Sequence, residues 1–85
     1  METSNPRLKA AFLEVVENQL EAGDPPETKA TLERLMSEGI SKEDAKLYIA
    51  EAVCAEIWIT IKNQKPFDLE RYIRNLRNLP DKPSE

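Results

Sequence analysis

Arg71, Arg74 and Arg77 recur at every third residue near the C-terminus, with Lys62 and Lys65 just before them. Guanidinium groups in such a row are bidentate donors to phosphate, so they form a candidate anion- or RNA-binding strip. The simpler use of the same row is as a solvated face, or as partners for the acidic series Glu14, Glu17 and Glu21. Glu14 and Glu17 share one helical face, as the carboxylates of diiron bundles do. Those bundles also need Glu-x-x-His pairs on other helices, and the chain contains no histidine. There is one cysteine, no Ser-His or Cys-His pair, and only two glycines, which leaves no phosphate-cradling loop. The sequence therefore predicts a non-enzyme with no catalytic residue, no metal and no cofactor.

The bounds agree with that reading. Eighty-five residues make one helical domain over 1–85, with an ordered part over about 5–79 and a flexible tail over 80–85. A chain this short buries a small fraction of its surface, so self-association is the first candidate for added stability. A net charge of −4 argues against nucleic acid or an anionic membrane as the main partner. No apolar run reaches the roughly 20 residues that span a bilayer, and no signal-type segment follows Met1. A soluble, cytoplasmic protein is expected, with Cys54 reduced and buried as a small hydrophobe.

The elements that must position these residues are punctuated by turn chemistry. Asn5 caps a first helix with Pro6 at its first position. Leu8, Phe12, Val15, Val16 and Leu20 follow at helical spacing, and Gly23 stops it. Asp24 is placed to cap a second helix, with Glu27 completing a capping box and Gly39-Ile40 folding back as a Schellman motif. Ser41 caps a third helix that runs to Asn63. Asp68 caps a fourth, and Phe67 and Tyr72 are spaced as a hydrophobic staple. No sustained period-two alternation occurs. The expected fold is all-α, a compact bundle of four helices with the long apolar third helix at its centre. The second and third helices also have the outline of a helix-turn-helix. Glu43, Asp44, Glu51 and Glu56 on the reading helix oppose DNA binding.

Between Ala45 and Ile61 only Lys46, Glu51, Glu56 and Thr60 are polar. At about 100° per residue no single face holds that many apolar side chains. One broad stripe contains Ile49, Val53, Ile57 and Ile61, flanked by Leu47, Ala50, Cys54 and Trp58. A narrower one contains Ala45, Tyr48, Ala52, Ala55 and Ile59. The sequence reading assigns Val53, Cys54, Ile57 and Trp58 to the core. It leaves Tyr48, Ala52, Ala55 and Ile59 as a candidate interface, with Trp58 or Tyr48 as its aromatic anchor. The expected partner is a second copy in a homodimer, or another protein.

Taken together, Asn5-Pro6-Arg7-Leu8, Glu17-Asn18-Gln19-Leu20, Asp24-Pro25-Pro26-Glu27, Leu32-Glu33-Arg34-Leu35, Glu56-Ile57-Trp58 and Pro66-Phe67-Asp68 with Tyr72 resemble, in order and spacing, a family of short bacterial proteins of unknown function. The resemblance implies two His-x-x-x-His pairs at positions occupied here by Lys9, Leu13, Glu43 and Leu47. Two such pairs on facing helices suit a transition metal. With all four imidazoles replaced, the resemblance implies that any family metal site is lost. A Leu13–Leu47 contact and a Lys9–Glu43 ion pair would take its place. Three functions follow: an interaction or self-association module, a degenerate member of a metal-binding or enzymatic family, and an anion binder.

Overall fold

The computed structural model describes residues 6–83. Four helices and no strand occur among them: α1 (Pro6–Ala22), α2 (Pro26–Ser37), α3 (Lys42–Asn63) and α4 (Leu69–Asn78). The fold is all-α. Asn5 and residues 84–85 of the expected tail lie outside the described residues.

Most helix ends follow from local chemistry. Gly39 lies at φ 93°, and the N–H groups of Ile40 and Gly39 donate to the carbonyls of Leu35 and Met36 at 3.1 and 3.0 Å. That pair of bonds is the Schellman closure, and it turns Ile40 back onto the core. The Ser41 hydroxyl oxygen accepts from the Asp44 N–H at 3.1 Å. The Asp68 carboxylate accepts from the Arg71 N–H at 3.1 Å. The rings of Phe67 and Tyr72 meet edge to face at 5.5 Å, completing the staple ahead of α4.

The start of α2 differs from the sequence reading. Its N-cap is Pro25, and no side chain caps it. The two prolines set the helix to begin at Pro26, one residue later than a cap at Asp24 requires. The Asp24 carboxylate is thereby too far back to bond the first free N–H groups, and the capping box with Glu27 does not form.

α3 has 22 residues and packs against α1, α2 and α4, while α2 also touches α1 and α4. One core draws on all four helices: Val16 from α1, Leu32 and Leu35 from α2, Ile49 and Val53 from α3, and Tyr72 and Leu76 from α4, closed by Leu79. At the end of α4, Arg34 of α2 donates to the carbonyl oxygens of Leu76 at 3.0 Å and Arg77 at 3.4 Å. A cation is there set against carbonyls that the helix itself cannot satisfy.

Candidate interaction surface

The packed face of α3 carries Ala45, Ile49, Ala52, Val53, Glu56 and Ile59, and all six are buried. Their spacing places them on one side of the helix. Val53, which the sequence reading assigned to the core, is buried there with Ile49 and Ala50, but the boundary between the two stripes differs from that reading. Ala52 and Ile59 from the stripe assigned to a partner lie inside the chain. Tyr48 and Ala55 are half-buried, with Tyr48 against the core. Of the residues assigned to the core with Val53, Ile57 is half-buried against it and Cys54 half-buried, while Trp58 is 51% exposed; Ile61 of the same stripe is 67% exposed. The inward turn of Ala52 and Ile59 goes with the place of the buried acid of α3. Glu56 shares the Ala52–Ile59 side, and its partner on α4 draws that side inward.

Glu56 is fully buried and accepts three hydrogen bonds. Arg71 donates from Nε to Oε1 and from an Nη to Oε2, both at 2.8 Å, and the Asp68 N–H donates to Oε2 at 2.8 Å. Arg71 also lies 3.8 Å from the Asp68 carboxylate. Burial pushes the Glu56 carboxyl upward. The Arg71 hydrogen bonds, the Asp68 N–H and the Arg71 charge outweigh that effect and hold the carboxyl below its ordinary value. A lowered carboxyl contributes stability that is present above the unfolded-state value, about 4.3, and is lost as pH falls through the folded value. We expect Glu56→Gln to flatten the acid limb of a stability–pH curve below about pH 4.3 relative to wild type. An unchanged acid limb would show that Glu56 does not titrate with folding.

A second buried cluster lies between α1, α2 and α4. Gln19 Oε1 accepts from the Thr28 hydroxyl at 2.7 Å and from the Tyr72 hydroxyl at 2.8 Å. Thr28 and Tyr72 are fully buried. Burial raises the Tyr72 phenol above its ordinary value, and the bonds to Thr28 and Gln19 partly oppose that. Among the described residues no buried side-chain polar atom is left without a partner. Both clusters hold the helices together.

The arginine row is divided by this packing. Arg71 is committed to Glu56, and only Arg74 and Arg77 are exposed. The acidic series of α1 is not their partner: Glu17 pairs with Lys46, joining α1 to α3. An open groove of about 240 Å³ beside α4 is lined by Glu27, Ala30, Thr31, Arg34 and Arg77. Its Arg34 is turned to the end of α4 and to Glu38, 2.9 Å away.

The positions singled out by the family resemblance fall on α1 and α3, which pack together. Leu13 and Leu47 are half-buried, Leu13 against the core. Lys9 and Glu43 are exposed and form no ion pair with each other; the α1–α3 pair is Glu17–Lys46 instead. Among the described residues no three acidic or cysteine side chains gather as metal ligands. No helix among them is long and apolar enough to cross a membrane.

What remains is the outer face of α3. Cys54, Trp58 and Ile61 follow i, i+4, i+7 spacing on that face, Trp58 and Ile61 exposed and Cys54 half-buried, while Ile57 beside them packs against the core. Glu51 lies before this stripe, and Lys62 and Lys65 after it, all exposed. The chain matches no protein-family model, no curated protein and no solved structure.

Proposed function

We propose that this chain is a small, non-enzymatic protein of the bacterial cytoplasm that acts by associating with itself. The observation that carries the reading is the outward stripe with Trp58 51% and Ile61 67% exposed on one helix face. Single exposed apolar residues are ordinary, but a contiguous stripe centred on a tryptophan is the composition of an interface core. The interface so read keeps Trp58 and replaces Ala52 and Ile59 by Cys54 and Ile61. The family resemblance supports an architecture without a retained metal site, since Lys9, Leu13, Glu43 and Leu47 supply no imidazole. An anion-binding reading of α4 rests on Arg74 and Arg77 alone, because Arg71 is engaged.

Light scattering across a dilution series tests the proposal. The expected result is a mass near twice 9.7 kDa that falls on dilution, with emission of the single tryptophan moving to longer wavelength as Trp58 meets water. A mass of one chain at the highest concentration overturns it. Stoichiometric zinc or iron in the purified protein would instead favour a surviving family metal site.

A further inference from the structure

The chain reaches α4 through a strained residue. Gln64, the C-cap of α3, lies at φ 53° and ψ 42°, in the left-handed region. The turns after α1 and α2 use glycines there, Gly23 at φ 67° and Gly39 at φ 93°, and glycine avoids the steric cost that a side chain carries at such angles. The Gln64 turn lets residues 65–68 fold back, so that α4 seats on α2 and α3 of its own chain. The seat is held at three points. Glu56 accepts from the Asp68 N–H and from Arg71 at the start of α4. Gln19 accepts from Tyr72 in its middle, and Arg34 donates to the Leu76 and Arg77 carbonyls at its end. Glu56, Gln19 and Arg34 all precede Gln64 in the chain, so a second copy presents α4 with the same seat and the same partners. Opening the turn leaves α3 its hydrogen bonds. With Gln64 right-handed, its own N–H can take the Thr60 carbonyl that the Lys65 N–H holds at 3.2 Å. Pro66 keeps Lys65 extended and stops the helix, so residues 65–68 then lead away from the body.

We propose that two copies of this chain associate by exchanging α4, each seating its α4 on the α2–α3 face of the other. The inference rests on the self-association reading above and names the element that carries it. Every contact of α4 is kept in the exchanged pair, and the strain at Gln64 is released twice, which is the condition under which a short turn favours exchange. Fully extended, the chain from Asn63 to Leu69 spans at most about 20 Å, so the C-terminal ends of the two α3 helices are held close together. Trp58 and Ile61 lie within two turns of Gln64, and the junction sets these exposed residues beside the second copy.

Light scattering of the full chain across a dilution series, wild type against Gln64→Gly, tests the exchange. Gln64 is exposed, so the substitution leaves the core intact. Glycine takes the left-handed turn freely and favours the closed chain. The dimer dissociation constant should rise roughly fivefold for each of the two turns, about 25-fold in all. A dimer joined only through the outer face of α3 would stay within about twofold of wild type. In a second measurement, Glu56→Lys and Arg71→Glu each set like charges together in the seat of α4 and should lose helicity. An equal mixture of the two matches every charge only by exchanging α4, and should regain helicity at the dimer mass. The double variant in one chain shows that the reversed pair fits. A dimeric wild type whose affinity ignores Gln64→Gly, or a mixture no more helical than its components while the double variant folds, overturns the exchange and leaves self-association standing. A wild type that is monomeric at the highest concentration overturns both.

Discussion

Arg71→Ala is expected to destabilise the chain by about 3–5 kcal/mol, the cost of leaving a buried charge without its partner. Glu56 is fully enclosed, and its two strongest contacts are the 2.8 Å hydrogen bonds from the Arg71 guanidinium. Of the three hydrogen bonds described, the one from the Asp68 N–H is then left to the carboxylate. A domain of this length has a total stability on the order of 4–13 kcal/mol, so the loss removes a large share of it. Urea unfolding followed by circular dichroism measures the effect as a fall in midpoint at unchanged slope. The double variant Arg71→Ala with Glu56→Leu should regain more than half of the loss, because the stranded charge is gone. If Arg71→Ala alone shifts stability by less than about 1 kcal/mol, the pair behaves as a solvated surface bridge and the account of α4 docking fails.

Gln19→Leu is expected to cost roughly 2–4 kcal/mol. Its amide oxygen is the acceptor shared by the Thr28 and Tyr72 hydroxyls, both fully buried. Replacing it with a leucine of similar size leaves the two hydroxyls only each other, so one enclosed donor loses its acceptor, a penalty of about 1–3 kcal/mol on top of the bond lost. Tyr72→Phe removes a donor from an acceptor that Thr28 still satisfies, so its cost should be only about 0.5–1.5 kcal/mol. The ordering, with Gln19→Leu worse than Tyr72→Phe, is the diagnostic. Thermal and urea unfolding of the two variants decides it, and equal costs would mean that Gln19 serves only one of the hydroxyls in solution.

Residues whose role depends on near neighbours in sequence were legible from the chain alone. Ser41, Asp68, Gly39-Ile40 and the Phe67–Tyr72 staple act within five residues of their partners, and each does in the structure what its type and spacing imply. Asp24 failed at the same range because consecutive prolines moved the helix start by one residue. The facing of α3 was not legible. A helix apolar on both sides gives no local signal of which side is inward. The answer came from Glu56, whose partner lies fifteen residues away on another helix. Read in isolation, Glu56 was one of four polar interruptions; its burial makes sense only beside Arg71. Gln19 is the same kind of case, since Tyr72 stands fifty-three residues from it. The arginine row was visible as a pattern, but a triplet spaced for one helix face did not disclose that its first member was taken by α3.

The Glu56 contacts also bear on the order in which the chain acquires structure. α4 has ten residues, fewer than a helix needs to persist alone in water. The carboxylate of Glu56 grips both the Asp68 N–H, where α4 starts, and Arg71, one turn in. We expect nucleation of α4, the fixing of its first turn, to depend on that carboxylate. The expected result is that the C-terminal segment winds as it docks on α3, so that in hydrogen exchange its backbone amides open together with that docking rather than one by one.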